Sequence, residues 1–319
     1  MVFLAYLFLI IKNIIYGSSV YFTESLSESV DVLDILAIRF LISFFVLYCL
    51  KLLRIVKINV GIKDVFKKTK NSKYIKSLIL AAFFESVLYM FFETFGISMT
   101  TCVTAGVILS LMPISSCICE TIILKEKTTF LQKVFLGIGI IGVIYISVNT
   151  NAADGKDTAL GIILIILAVV SASMYMVFSR YASGHFNAME VTYFSASFGM
   201  IAFNFVNVIR HVINGDLLKY FSPLINVQNA VCFIFLGLIS TILAKCMNNF
   251  ALSKIQTSTV SAFSGLYTVV TIMVGVIFGG ERLYTYHFIG MTLILIRMIG
   301  VSYISIKNDK IRKNEIRKG

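Results

Sequence analysis

The chain has 319 residues, of which 58% are hydrophobic and only 14% are charged, and its net charge is +12. A soluble domain carries about a quarter charged residues, so this composition excludes a water-exposed globular protein. Long apolar runs recur along the whole chain, and a run of about 20 residues crosses a hydrocarbon core of roughly 30 Å as a helix. Backbone groups inside lipid must be paired within their own segment. The composition therefore predicts an all-α integral membrane protein.

Ten apolar segments joined by short connections predict ten transmembrane helices. In chain order they are Val2–Phe22, Leu33–Leu53, Ser77–Ile97, Thr101–Leu124, Leu131–Asn149, Leu160–Ser179, Val191–Ile213, Ala230–Leu252, Thr257–Phe278 and Tyr286–Ile306.

Lysine and arginine collect on one side of the predicted membrane. With a cytoplasmic N-terminus, twenty of the 28 lie on the inner side or at the inner ends of helices, four lie on the outer side or at the outer ends, and four lie in the interior of helices. Because inner loops carry the excess of basic residues, we predict a multi-pass protein of the cell (plasma) membrane with both termini in the cytoplasm. This asymmetry explains the net charge without a nucleic-acid partner. A lipid-binding patch at residues 63–76 is an alternative interpretation of the densest basic segment.

The soft metal ligands are six cysteines inside apolar runs and three scattered histidines. Cys117 and Cys119 stand two apart on a predicted helix and would point away from each other. We therefore expect no metal site and no other cofactor, and we interpret the cysteines as packing residues.

An internal repeat appears when the chain is shifted by 155 residues, which aligns residues 95–126 with residues 250–281. Each copy is a helix pair that ends in a short acidic turn. With five helices in each half, the two halves must enter the membrane in opposite orientations. The predicted organisation is therefore two inverted five-helix repeats at residues 1–150 and 157–307, followed by a basic cytoplasmic tail at residues 308–319. Such repeats favour alternating access to a shared site near the midplane.

Several segments resemble the EamA-type members of the drug/metabolite transporter superfamily. Tyr16-Gly17-Ser18 in the first helix is similar to the family's Trp-Gly-Ser, with tyrosine in place of tryptophan. The second helix resembles the family's Ala-x-x-Arg-Phe pattern around Arg39.

The stretch most typical of that family is found twice. Helices 4 and 5 carry Pro113 in mid-helix, Glu126 at the turn and a glycine-rich helix after it. Helices 9 and 10 repeat this order with Glu281 and Gly290, but Thr268 stands where the second proline is usual. The resemblance covers essentially the whole chain, and it implies a ten-helix exporter or exchanger of small metabolites, sometimes amino acids, with a central cavity.

Charged residues inside the predicted helices indicate functional or structural pairs, because ionisable groups in a bilayer usually face the bundle interior. Depths counted at about 1.5 Å per residue match three acid–base pairs: Glu85 with Arg297, Arg39 with Glu93, and Glu120 with Lys245. We expect Glu85 and Arg297, near the midplane, to line a transport cavity, and a coupling proton on Glu85 is a hypothesis. Arg39 and Glu93 are further cavity candidates, with structural neutralisation as the alternative. Glu120 and Lys245, near the inner interface, are predicted to form a structural charge pair.

Further cavity candidates are polar or helix-breaking residues, namely Tyr89, Ser110, Pro113, Tyr267 and Thr271. Tyr89 lies one turn from Glu85 on the same face, and Pro113 frees a backbone carbonyl in mid-membrane. Core packing is the alternative for each of them. Lys12 has no matching acid, and it would either attract an anionic substrate group or extend toward the interface.

The sequence thus predicts a carrier of small metabolites rather than an enzyme. A sugar-phosphate or nucleotide-sugar exchanger is the alternative transporter, but it would need several cations at one depth. A polytopic enzyme would need clustered aspartates or a His-Glu-x-x-His motif, and the Asp31–Asp34 pair, in a predicted outer loop, does not make such a cluster. No catalytic residue is predicted, and a homodimer remains open.

Overall fold

The computed structural model describes residues 2–56, 58, 72–124, 129–149, 158–280 and 284–316. Within these ranges every regular element is helical, and the helices fall into ten units, α1 to α10. The continuous helices are α1 (Val2–Ser27), α2 (Val32–Leu52), α5 (Phe130–Asn149), α6 (Ala159–Ala182), α7 (Ala188–Asn214) and α10 (Thr285–Ile316). The interrupted helices are α3 (Ser72–Ala82, Phe83–Tyr89, Met90–Ser98), α4 (Cys102–Leu109, Met112–Cys119, Glu120–Leu124), α8 (Val227–Ile234, Phe235–Ala244, Lys245–Lys254) and α9 (Thr257–Ala262, Ser264–Phe278). Two short 3₁₀ helices, Leu217–Lys219 and Ser222–Ile225, join α7 to α8.

Eight of these units, all except α5 and α10, are long and apolar enough to cross a membrane. In α5 and α10 the described apolar stretches are shorter, Phe130–Gly142 and Phe288–Val301. Every predicted helix coincides with an observed one, but some boundaries differ. Helix α1 continues to Ser27, and α10 continues to Ile316 through most of the predicted tail. Glu126 and Glu281, which mark the repeated acidic turns, lie outside the described residues.

Polar residues at the connections start several helices. Asp31, Thr101 and Thr158 each accept a hydrogen bond from a backbone N–H of the following first turn. Asn187 and Glu190 form a reciprocal capping box at the start of α7. These caps satisfy N–H groups that no helix can pair internally, so they set where α2, α4, α6 and α7 begin.

Helices α4 and α9 are both broken near their middle. In α4 the break follows Leu109, and Pro113 stands in the first turn of the next segment, where its missing N–H is tolerated. Helix α9 is interrupted at Phe263 without a proline. Thr268, at the position of the missing proline, donates to the Gly106 carbonyl of α4 at 3.1 Å. The absence of the second proline therefore does not remove the second break.

Two other helices contain wide π-helical turns, at Phe83–Tyr89 in α3 and at Phe235–Ala244 in α8. The 155-residue shift that aligns the two halves places the first of these on residues 238–244, inside the second. Such turns often occur at functional sites.

Each of three helices in the first half packs antiparallel against its counterpart in the second half. In the α2–α7 pair, Phe40 contacts Gly199, while Asp34 accepts a hydrogen bond from Asn207. The residue numbers of the contacting pairs rise along α2 as they fall along α7, so the two helices are antiparallel. The same reversal holds between the segments of α4 and α9 and, in α5 and α10, for the contacts of Phe135 with Gly300 and Gly142 with Leu293.

Candidate functional site

A chamber with a mostly apolar surface lies between the two halves of the chain. It is lined from the first half by α1, α3 and α4 and from the second half by α6, α8 and α9, and its cavity volume is about 60 Å³. The lining residues are Lys12, Asn13, Tyr16, Glu85, Tyr89, Met90, Met112, Ala172, Tyr175, Met176, Asn248, Ser264 and Tyr267.

Glu85 forms a buried ion pair with Lys245. The lysine Nζ donates to Glu85 Oε2 at 2.6 Å, and the side chains are 1% (Lys245) and 4% (Glu85) exposed. Ser86 donates to the same carboxylate oxygen at 2.7 Å, and Lys245 Nζ also lies over the Phe40 ring at 5.4 Å. The pair joins the wide turn of α3 to the residue that follows the wide turn of α8.

The predicted pairing of Glu85 with Arg297 is therefore wrong. Arg297 is fully buried, and its Nη1 donates to the Ser110 carbonyl at 2.6 Å. Its guanidinium lies against Gly139 of α5, away from the residues that line the chamber. The break before Pro113 frees the Ser110 carbonyl, because the N–H of Ile114 bonds to Leu111 instead. Arg297 thus caps the broken helix α4.

The predicted structural pair of Glu120 with Lys245 is also wrong, since Lys245 binds Glu85. Glu120 instead accepts a hydrogen bond from the backbone N–H of Thr257 at 3.1 Å. This bond ties the end of α4 to the first residue of α9, so Glu120 keeps a structural role with a different partner.

Arg39 and Glu93, the third predicted pair, form no direct contact. Arg39 Nε donates to Thr241 at 2.7 Å and Nη2 to Ser240 at 3.1 Å, both in the wide turn of α8. Glu93 accepts a hydrogen bond from the hydroxyl of Tyr89. Tyr89 lines the chamber, while Glu93 lies one turn behind it.

The other candidates occupy the interface between the two halves. Tyr267 lines the chamber, and its hydroxyl has no hydrogen-bond partner among the described residues. Thr271 donates to the Gly17 carbonyl of α1 at 3.2 Å, which holds α9 against α1. Ser110 and Pro113 form the break of α4 and do not line the chamber.

Sequence reasoning missed several chamber residues. Asn13, Tyr175, Asn248 and Ser264 line it, and Tyr175 donates to Asn249 at 2.7 Å. These residues are uncharged, and an uncharged polar side chain in an apolar helix is a weak signal. Two adjacent asparagines, Asn248 and Asn249, inside the apolar helix α8 are a sequence signal that could have identified this side of the chamber.

An ionic cluster closes one end of α2 and α7. Asp34 accepts hydrogen bonds from Asn207, Arg210 and His211 at 2.7–2.8 Å, and His211 also lies 2.8 Å from Asp216. Sequence reasoning considered Asp34 only as part of an absent enzyme motif. The cluster links the two antiparallel partners at a single end.

The chamber offers one cation, several hydroxyl and amide groups, and aromatic and methionine surface. Among the described residues no group of three His, Cys, Asp or Glu side chains is placed to hold a metal ion. This chemistry suits reversible binding of a small molecule that has both polar groups and an apolar part.

The sequence is similar to a family of transporters and to individual transporters from two organisms. The model of the EamA-like transporter family matches it twice, at residues 3–148 and 159–303. An uncharacterized transporter YcxC of Bacillus subtilis (strain 168) is 30% identical over 296 residues, which is 93% of this chain and 92% of the relative. An uncharacterized transporter of Archaeoglobus fulgidus is 27% identical over 231 residues, covering 72% of this chain and 78% of the relative.

A crystal structure of another protein shares the fold. It has a TM-score of 0.66 and 16% identity, over 94% of this chain and 96% of that one. Family and relatives indicate a multi-pass membrane transporter rather than an enzyme. The two family matches together cover nearly all of the chain, and the protein belongs to the EamA-like transporter family.

Proposed function

We propose that the protein is a secondary carrier of small metabolites, an exporter or exchanger that works by alternating access. The observation that carries this proposal is the chamber between the two halves, to which each half contributes three helices. A binding site at the boundary of two repeats is where rocking of one repeat against the other changes access.

Ten membrane-crossing helices in two inverted five-helix repeats, at residues 1–150 and 157–307, are part of this proposal. The antiparallel packing of α2 with α7, α4 with α9 and α5 with α10 supports it, because inverted repeats turn equivalent helices in opposite directions. Helices α5 and α10 pack along one another and would complete the ten. Under this proposal the protein lies in the plasma membrane with both termini in the cytoplasm, and the excess of basic residues on the predicted inner side supports this orientation.

Cysteine labelling tests this topology. In a cysteine-free background, Ser222→Cys, in the connection of α7 to α8, should react with a membrane-impermeant maleimide on intact cells. His185→Cys, in the connection of α6 to α7, should react only after permeabilisation. Labelling of both positions from outside would contradict the inverted arrangement.

Transport itself is tested with purified protein in liposomes loaded with a ¹³C-labelled mixture of amino acids and carboxylic acids. A carrier should release at least one component faster when the same unlabelled compound is present outside, and the rate should saturate. Flux that neither saturates nor shows counterflow would indicate a channel, and no flux for any component would contradict the proposal. A coupling proton at Glu85 is a further hypothesis, which unchanged flux in Glu85→Gln under a collapsed pH gradient would refute.

A nucleotide-sugar or sugar-phosphate exchanger is the second candidate. Such a substrate carries about two negative charges, whereas the chamber lining has Lys12 as its one cation among the described residues. The single-cation chamber favours a less charged metabolite.

A further inference from the structure

Lys12 is a buried cation without a carboxylate partner. It is 6% exposed, and no described residue forms a hydrogen bond or ion pair with its ammonium group. Its nearest described aromatic contact is the ring of Tyr16, 5.6 Å from Nζ. It lies ten residues from the start of α1, or about 15 Å at the helical rise per residue. An ammonium group this deep is costly unless an anion compensates it.

The other chamber charge is already neutralised. Glu85, the acid in the lining, is bound to Lys245 at 2.6 Å. When it is protonated, Lys12 therefore gives the chamber an excess of about one positive charge. A ligand group with a single negative charge restores neutrality, while a phosphate dianion would leave an excess negative charge in a low-dielectric site.

Three neutral groups of the lining also lack hydrogen-bond partners among the described residues. They are Asn248 Oδ1, the Ser264 hydroxyl and the Tyr267 hydroxyl. Buried polar atoms of this kind are usually paired. Asn248 Oδ1 is an acceptor, so its missing partner is a donor such as a hydroxyl or amide N–H. Methionine and tyrosine side chains supply the rest of the wall, and they suit an apolar ligand body.

We infer that the chamber binds a monocarboxylate of net charge −1 that carries a second, uncharged hydrogen-bond donor, with the carboxylate on Lys12 and the donor on Asn248. This inference rests on the proposed function, whose chamber it assigns a substrate class. A zwitterion is disfavoured, because it would leave the charge of Lys12 uncompensated.

The test measures the melting temperature of the purified full-length protein against 3-phenyllactate, lactate and 2-hydroxyisocaproate. 3-Phenyllactamide, phenylalanine and phenyl phosphate serve as the neutral, zwitterionic and dianionic comparisons. A ligand of the folded state raises the melting temperature with concentration. At least one hydroxycarboxylate should do so, and the three comparison compounds should not.

Three variants localise the effect. Lys12→Met should weaken the apparent affinity about 10- to 100-fold, the range for a lost charge-assisted hydrogen bond, while Lys12→Arg should retain binding. Lys51→Met is the matched control, because Lys51 also lies over a tyrosine ring, Tyr193, but outside the chamber. It should leave the affinity unchanged.

Unchanged affinity in Lys12→Met, equal stabilisation by the amide, or stabilisation by phenylalanine or phenyl phosphate alone would overturn the inference. So would the absence of stabilisation by every carboxylate. If the liposomes still show counterflow of another metabolite, the substrate assignment fails while the carrier proposal stands. If they show no flux at all, the carrier proposal fails with it.

Discussion

The buried Glu85–Lys245 pair predicts a large loss of stability when its acid is neutralised. In Glu85→Gln the ammonium of Lys245 would stay 1% exposed without its carboxylate. The remaining favourable contact is the Phe40 ring at 5.4 Å, and a desolvated cation–π contact contributes only about 2 kcal/mol. Removing one partner of a buried pair costs about 3–5 kcal/mol, so we expect Glu85→Gln to lower the free energy of unfolding by about 3 kcal/mol or more.

The reason for this loss is testable in a double-mutant cycle. If the cost comes from the uncompensated charge on Lys245, then Glu85→Gln/Lys245→Met should be more stable than Glu85→Gln alone by roughly 2 kcal/mol. The measurement is reversible unfolding of the purified protein in mixed detergent micelles at increasing SDS fraction. Both variants keep the side-chain volume nearly constant, so cavity effects are small.

Asp31→Asn is the control for a salt bridge near water. Asp31 pairs with Arg210, but its side chain is 54% exposed, and exposed pairs contribute no more than about 1 kcal/mol. A double variant no more stable than Glu85→Gln, or a loss in Glu85→Gln as small as in Asp31→Asn, would refute the argument that burial makes this pair indispensable.

Two further predictions concern helix contact and hydroxyl pairing. Gly17→Ala should lower the free energy of unfolding by about 1–3 kcal/mol, because its Cβ would lie 2.7 Å from Val270 Cβ and 2.8 Å from the Tyr267 carbonyl oxygen. The control is Gly137→Ala, whose Cβ meets nothing within 4 Å and which should be neutral or stabilising in the same unfolding assay. Equal effects of the two substitutions would contradict the close packing of α1 on α9. Tyr267→Phe should leave the free energy of unfolding of the ligand-free protein unchanged, because the Tyr267 hydroxyl has no hydrogen-bond partner among the described residues. Tyr175→Phe should lower it by about 1 kcal/mol, because the hydrogen bond to Asn249 is lost. A greater loss in Tyr267→Phe than in Tyr175→Phe would show that the Tyr267 hydroxyl is paired.

Hydropathy was sufficient to predict the class and the helices. A run of apolar residues long enough for a bilayer has few alternatives to a helix, and each predicted segment coincides with one of α1 to α10. The ends were less certain, because polar residues can continue a helix beyond the apolar run, as in α10. The repeat could be detected because both copies keep their order and spacing.

The charge pairs could not be predicted from depth alone. Depth gives the height of a residue along its helix but not the neighbour that its side chain faces, and Arg297 faces α4 and α5 rather than α3. The depth of Lys245 estimated from a uniform rise per residue was also wrong, because part of α8 is not a regular α-helix. The wide turns of Phe235–Ala244 advance less per residue than an α-helix, so Lys245 lies closer to the middle of the bundle, and to Glu85, than a uniform rise implies.

The two halves repeat a backbone but not its chemistry. Under the 155-residue shift, Glu85 in the wide turn of α3 corresponds to Ser240 in the wide turn of α8, and Lys245 corresponds to Met90. Each half thus keeps a wide turn, which interrupts the α-helical hydrogen-bond pattern next to the chamber. The two charged residues lie in different halves, so that the acid of one half binds the base of the other. A pair with both members in one half would leave the halves free to separate. Because this pair spans them, any rocking motion must either carry Glu85 and Lys245 together or break a buried ion pair. The backbone can yield to keep them joined at the wide turn that carries Glu85 and at the wide turn that Lys245 directly follows.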